Sequence, residues 1–155
     1  SVQAVAAEAR IPENQASINL RALQARGLLV ARRDGVHIRY YAEADPLVEH
    51  AADVLSAVRR ELGNARGAEA VLVTLRAFTH SRRLTLLGCL LRTSELTTDA
   101  LVAKTLFSQP AVWRHLTTLR GAGLIRETQK AQWKIEPNNR LPSLARALLD
   151  VLKRA

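Results

Sequence analysis

The sequence predicts a mainly α-helical fold with small β-hairpins, in which one helical unit occurs twice along the chain. Three observations predict it. The 155 residues are 48% hydrophobic but only 4% aromatic, so the apolar weight rests on Leu, Ala and Val, which suits helices packing on helices. Asp34-Gly35 stands between two alternating runs, a short-range hairpin signal. The chain also matches itself at a shift of 96 residues, pairing Ala4 with Ala100, Val5 with Leu101, Ala7 with Ala103, Leu20 with Leu116 and Leu23 with Leu119. Gly27 then falls on Gly123, Leu28 on Leu124 and Pro46 on Pro142. Self-similarity at a fixed period signals a repeated supersecondary unit.

The elements follow in order. A short helix is expected over about 2–9, with a counterpart over about 97–104, each with apolar residues at helical spacing. A turn comes next, holding Pro12 in the first copy and Ser108-Gln109-Pro110 in the second. Ser108 suits a helix cap, and proline suits a first helical turn. A second helix runs to Arg26 or Ala122, with a buried stripe of Ala16-Leu20-Leu23 or Val112-Leu116-Leu119. It stops at Gly27 or Gly123, since glycine accepts the left-handed conformation that ends helices. Hairpins follow: Leu28 to Arg33, the Asp34-Gly35 turn and Val36 to Tyr41; then Leu124 to Glu127, a tip at Thr128-Gln129-Lys130 and Ala131 to Ile135. Helix, turn, helix and hairpin make a winged helix.

Flanking segments complete the plan. An apolar helix over Leu84–Leu91 leads into the second copy. The first copy has no such lead, so its opening helix is read as missing, disordered or truncated; the chain has no methionine, so Ser1 is not read as a translation start. Pro46 to Leu62 and Pro142 to Ala155 are expected as matching helices. Residues 1–62 are thus read as the first winged-helix copy with its C-terminal helix, 63–70 as a linker, and 71–155 as the second copy with its own.

Charge narrows the function. The chain has 23 Lys+Arg against 14 Asp+Glu, a net +9. Residues 1–75 carry 9 basic and 9 acidic side chains, whereas residues 76–155 carry 14 basic and 5 acidic, so the second half holds the whole excess. A concentrated positive field attracts polyanions, nucleic acid first among them. No apolar run approaches the roughly 18 residues of a membrane span, and one cysteine cannot form an internal disulfide. A cytoplasmic, nucleoid-associated protein is expected.

The stretch from Phe78 to Ile125 resembles the ArsR-type winged-helix regulators. The resemblance rests on Phe78-Thr79-His80-Ser81-Arg82-Arg83-Leu84, Glu95-Leu96, Ser108-Gln109-Pro110-Ala111-Val112-Trp113-Arg114-His115-Leu116 and Leu119-Arg120-Gly121-Ala122-Gly123-Leu124-Ile125. It extends to the first copy over Val2 to about Tyr41. It implies a prokaryotic, repressor-like transcription regulator, with a recognition helix in the major groove and a wing on the backbone of double-stranded DNA. Such proteins pair through their first and last helices. Two copies in one chain allow that pair to form internally, as an intrachain pseudo-dimer, and a homodimer of such chains is left open.

In the second copy Gln109, Trp113, Arg114 and Thr117 lie off the buried stripe and are expected to face DNA. Gln can pair with adenine and Arg with guanine, and a Trp can touch a thymine methyl or pack on a neighbouring helix. Ser108, Thr118 and Arg120 are placed for phosphates, with Lys130 and Lys134 on the wing. His115 matches a family histidine, read as a phosphate contact or a structural hydrogen bond. In the first copy Ser17, Asn19 and Arg21 are the equivalents, with Arg32, Arg33 and Arg39 on the wing; Glu13 replaces Gln109 and Ile18 replaces Arg114, which makes this copy the weaker reader.

Metal sensing and catalysis are not expected. Glu95-Leu96-Thr97-Thr98-Asp99 has no thiol where the family carries one, and Cys89 reads as a small buried residue. Glu49, His50 and Asp53 offer too few ligands for a site, and no nucleophile motif, phosphate loop or cofactor signature occurs. The alternative reading is a winged-helix interaction or dimerisation module within a larger assembly or enzyme, in which Glu13, Ile18 and Trp113 would be interface residues.

Overall fold

The computed structural model describes residues 1–154 and divides the chain into two compact units, Ser1–Ala57 and Val58 onward. The architecture is mainly helical with small antiparallel hairpins, as the sequence predicts.

In the first unit α1 spans Val2–Ala9, and the Ser1 hydroxyl caps it by accepting the Ala4 N–H at 3.3 Å. It ends at Arg10, held in the left-handed region at φ 53°. Helix α2 (Glu13–Ala25) buries Ala16 and Leu20. Leu23, expected as the third residue of that stripe, is 41% exposed. Strands β1 (Val30–Asp34) and β2 (His37–Tyr41) pair with Asp34 opposite His37, so the tight turn is Gly35-Val36 rather than Asp34-Gly35. Gly35 takes the positive φ, 61°, that a two-residue hairpin loop needs.

The helix expected from Pro46 begins only at Ala51, as α3 (Ala51–Leu62). Local bonds hold the preceding residues in turns. Asp45 N–H donates to the Gly27 carbonyl at 2.8 Å, and the Asp45 carboxylate accepts the Leu47 N–H at 2.9 Å. Val48 lies against Gly27 so closely that a Cβ there would come within 2.6 Å of it. Asx turns of this kind compete with helix initiation. The division between units falls within α3, and the expected linker shrinks to 63–66, because Gly67 already opens α4 (Gly67–Phe78), a helix the sequence reading did not anticipate.

The second unit continues with α5 (Ser81–Thr93), the short β3 (Leu96–Thr97), α6 (Thr98–Thr105) and α7 (Gln109–Gly121). Strands β4 (Ile125–Glu127) and β5 (Gln132–Ile135) and helix α8 (Ser143–Arg154) close it; Ala155 of the predicted terminal helix lies outside the described residues. The sheet has three strands in the order β3-β5-β4, all antiparallel. Val112, Leu116 and Leu119 are fully buried as expected, against Leu86, Leu87, Leu90, Leu101, Trp133 and Leu149. The buried Glu61 carboxylate accepts the N–H of Ser143, the first residue of α8. That uses a buried charge to satisfy an orphan helix donor.

Backbone detail recurs at the shift of 96. Thr97 caps α6 through the Ala100 N–H as Ser1 caps α1 through Ala4. Leu106 ends α6 in the left-handed region at φ 58°, as Arg10 ends α1. Gly27 and Gly123 have φ 72° and 70°, and the bonds Leu28 N–H to Leu23 O and Leu124 N–H to Leu119 O measure 3.0 and 3.1 Å. The covers differ. Helix α5 packs on α6 and α7 in the second unit, and Leu119 is buried there, whereas Leu23 is 41% exposed.

Candidate nucleic-acid interface

The excess charge sits in the second unit, with 17 basic and 7 acidic side chains against 6 and 7 in the first. Its exposed, hairpin-flanked helix is α7. The stripe Val112-Leu116-Leu119 turns inward, which leaves Gln109, Trp113, Arg114 and Thr117 on the outer surface. The Arg114 guanidinium makes no hydrogen bond or ion pair among the described residues, so its donors remain available. Lys130, at the hairpin tip, is likewise exposed and unpaired.

Trp113 packs against a strand of the wing rather than the neighbouring helix its sequence position suggested, and keeps part of its ring at the surface. It is 42% exposed, and its buried edge meets the Trp133 ring at 5.7 Å in a T-shaped contact with an interplanar angle of 88°. Trp133 is fully buried in β5, donates its indole N–H to the Thr98 hydroxyl at 3.0 Å, and carries the Arg120 guanidinium over its ring at 5.6 Å. One indole thereby ties α6, α7 and the wing together. Such aromatic geometry contributes about 0.5–1.5 kcal/mol beyond burial. Trp133 was not a candidate from sequence. Its alternation with the polar Gln132 and Lys134 marked an inward position, but nothing in the sequence placed Trp113 beside it.

Several expected contacts are otherwise engaged. Lys134 is half-buried and bonds Glu95 at 2.9 Å, so it is no free wing cation; that lysine holds the Glu95 carboxyl below its usual range, first by the hydrogen bond and then by its charge. Arg120 reaches Glu127 at 3.9 Å besides covering Trp133, and the Thr118 hydroxyl donates back to the Arg114 carbonyl at 3.1 Å. Ser108 occupies the N-cap of α7, exposed, without a side-chain cap bond. His115 is 5% exposed, which contradicts a phosphate contact; its Nε2 also lacks the structural hydrogen bond that was the other expectation. Burial pushes its pKa down, helped by His80, Arg83, Arg114 and Arg82.

The first unit presents a different surface. Ser17 is half-buried, the Asn19 side-chain oxygen accepts from Gln15 at 3.0 Å, and Arg21 is exposed. The wing arginines have local partners. Arg32 pairs with Glu43 and lies over Tyr41, Arg39 meets Asp34 at 2.8 Å, and Arg33 donates to the Gly35 carbonyl at 3.2 Å. Exposed pairs of this kind contribute roughly 0–1 kcal/mol, so they direct the side chains without locking them. Ile18 is 60% exposed where α7 carries Arg114.

Cys89 is buried, as expected, and no group of three His, Cys, Asp or Glu side chains among the described residues could share a metal ion. No helix among them is long and apolar enough to cross a membrane.

A three-stranded winged helix with a solvent-facing second helix is the class of domain this geometry defines. Residues 80–127 match the family model described as bacterial regulatory protein, arsR family, so the second unit carries a helix-turn-helix domain of a bacterial transcription-regulator type. Among solved structures, the chain is similar to HlyU from Vibrio cholerae N16961, with 26% identity over 59% of this chain and 96% of that one and a TM-score of 0.49. It is also similar to reduced HlyU from the same organism, with 28% identity, coverage of 57% and 90%, and a TM-score of 0.46. No curated protein matches the chain.

Proposed function

We propose that the chain is a sequence-specific regulator of transcription, repressor-like, that binds double-stranded DNA with α7 in the major groove and the β4–β5 wing along the backbone. One observation carries this reading: the outer face of α7 presents Gln109, Arg114 and Thr117 to solvent on a unit with 17 basic against 7 acidic side chains, within a segment that matches a bacterial regulator family. Arg114 supplies guanine readout, Gln109 adenine readout, and Trp113 an apolar contact for a thymine methyl. Ser108 and Lys130 supply phosphate contacts; Thr118 and Arg120 are secondary, because their polar groups already have partners. The protein acts on the bacterial nucleoid, in the cytoplasm, without a metal cofactor.

Residues 1–57 are read as a second copy of the same unit, supported by caps, left-handed residues and glycines that recur at one shift. That copy reads DNA weakly, through Ser17, Asn19, Arg21 and the wing residues Arg32, Arg33 and Arg39. Pairing of the two copies within the chain, as a pseudo-dimer, is part of this reading. Light scattering on the eluting protein would show a monomer at low micromolar concentration, and an obligate dimer would count against intrachain pairing.

The decisive experiment is gel-shift titration on DNA selected from random fragments, repeated across salt. Contact with about six phosphates weakens binding by roughly three orders of magnitude from 50 to 200 mM. Arg114→Ala is expected to cost about 1–3 kcal/mol and relax the preference at one base pair. Salt-insensitive binding, or unchanged preference in that variant, would remove α7 as the reader.

A further inference from the structure

The second unit carries a cavity of about 400 Å³, bordered by α5, both outer strands of the wing and the end of α8. Leu90 and Leu91 line it from α5, Arg126 from β4, Lys134 and Ile135 from β5, and Lys153 from α8. Helix α5 packs on both β5 and α8, so these walls belong to one packed body. The volume is in the range of clefts that hold small molecules. None of the residues proposed above to touch DNA lines it, and the site is independent of the DNA-binding reading.

The walls divide into an apolar and a cationic part. Leu90, Leu91, Ile135 and Pro137 supply the apolar surface, and the charged lining is three cations against the single carboxylate of Glu95. The cations are not equally committed. Lys134 is spent on Glu95 at 2.9 Å, which cancels one charge of each sign. Lys153 pairs with Asp150 of its own helix, but both side chains are about half exposed and such pairs are weak. Arg126 is the least satisfied. Its Nε stands 3.8 Å from the Glu136 carboxylate, beyond hydrogen-bond reach, and Arg126 Nε and Glu136 Oε2 are both buried without a hydrogen-bond partner among the described residues. Buried polar atoms left in that state are uncommon in folded proteins. A guanidinium also presents paired N–H donors that match a carboxylate.

The backbone beside these cations is strained. Ser94, another lining residue, holds φ 68° and ψ −57°, and the Glu95 N–H donates back to the Thr93 carbonyl at 2.9 Å. That is the rare form of the three-residue turn, and strain of this kind collects beside ligand sites.

We propose that this cavity binds a small organic acid, its carboxylate held by Arg126 and Lys153 and its apolar body against Leu90, Leu91 and Ile135. An inorganic anion would leave the apolar walls uncovered, and a neutral apolar molecule would leave Arg126 without a partner. A molecule with both parts satisfies both.

The probe is sodium benzoate, titrated into the full chain at fixed ionic strength with benzamide as its neutral match, while NMR follows the methyl groups of Leu90, Leu91 and Ile135. Those signals are expected to shift and saturate with benzoate. Benzamide should bind about tenfold more weakly, for want of hydrogen bonds to a charged group. Arg126→Gln and Lys153→Gln should each weaken benzoate severalfold, whereas Lys104→Gln, which removes an exposed cation of α6 outside the cavity, should not. Lys153 is exposed near the end of α8, so its loss leaves the fold intact, and amide spectra check this for all three variants. Equal affinity for acid and amide, unmoved methyl signals, or benzoate binding unchanged in both Arg126→Gln and Lys153→Gln would overturn the site. An equal loss in Lys104→Gln would reveal general charge attraction and overturn it too. None of these outcomes turns on whether the chain binds DNA.

Discussion

Leu106 makes a contorted turn with an ill-suited residue, and replacing it with glycine should stabilise the protein. It ends α6 at φ 58°, ψ 19°, while its side chain is 89% exposed. The left-handed conformation costs an L-residue roughly 1–2 kcal/mol, which glycine escapes. Against this, glycine loses about 0.5–1 kcal/mol more backbone entropy on folding. A side chain with only a tenth of its surface buried gives up about 0.2–0.3 kcal/mol of the roughly 1.5–3 available to a leucine. The balance is a gain of about 0.5 kcal/mol, or about 2–4 °C in Tm for a unit of this size. The Leu106 N–H to Val102 carbonyl bond, 2.9 Å, is backbone and survives. Urea unfolding of the full chain at pH 7.5 measures the change, with Arg10→Gly as the parallel substitution at φ 53° in the first unit. A loss of stability in Leu106→Gly would refute the reasoning: the leucine would then be relieving more than its backbone costs. DNA affinity should be unchanged within about twofold, since the side chain is assigned no base.

Three further outcomes are expected. Gly67→Ala should destabilise the second unit by about 1–3 kcal/mol, because its Cβ would meet the Glu61 carbonyl at 1.9 Å and backbone must move; a variant with an unchanged urea midpoint would show that α4 starts elsewhere. Trp133→Phe should cost about 1 kcal/mol for the lost bond to Thr98 besides the lost ring volume, and should weaken DNA binding more than Trp113→Phe does, since it loosens the wing from both helices; equal effects would deny Trp133 that joining role. His115 makes stability depend on pH. Its folded pKa lies below the ordinary 6.5, so from about pH 7 downward the unfolded chain takes up a proton that the folded chain refuses. Stability therefore falls as pH drops below that value, and the loss levels off once folded His115 itself protonates. A His115→Leu variant should flatten the urea midpoint between pH 7.5 and 5.5, and an identical slope in both proteins would place the titration elsewhere.

How much of this was legible beforehand follows from the range of the interactions. Local signals worked: the glycines that end α2 and α7, the proline-led turns, and the period of Val112-Leu116-Leu119 act within a few residues of themselves. Helix α3 was misplaced because the Asp45 turn and the Gly27–Val48 contact override an amphipathic pattern that does continue upstream. The start of α4 is not legible because Gly63 and Gly67 have the composition of a linker, whereas Gly67 is required by the close Glu61 carbonyl. Leu23 has the same spacing as Leu119, yet burial is decided by tertiary packing that spacing does not encode, and Leu23 is 41% exposed while Leu119 is fully buried. The pairings that decide which cations are free, Lys134 with Glu95 and Arg120 with Glu127 and Trp133, are tertiary. Sequence spacing alone could nominate those side chains for DNA but could not show them occupied.

The two units keep the same backbone devices and differ in the chemistry they display. Caps, left-handed residues and terminal glycines define where a helix-turn-helix bends, and those positions correspond at one shift throughout. At the same shift Gln109 becomes Glu13 and Arg114 becomes Ile18, and the free arginine face becomes one where the wing arginines are held by Glu43, Asp34 and a carbonyl. A carboxylate at the start of a reading helix repels phosphate, while a 60% exposed isoleucine makes no polar readout. Geometry without complementary charge keeps the scaffold and gives up the ligand. On the proposed reading, in which α7 meets the bases, converting Glu13 and Ile18 to Gln and Arg should raise non-specific DNA affinity and steepen its salt dependence. If that double variant binds DNA no differently, the first unit is prevented from reaching the duplex by something other than its side chains.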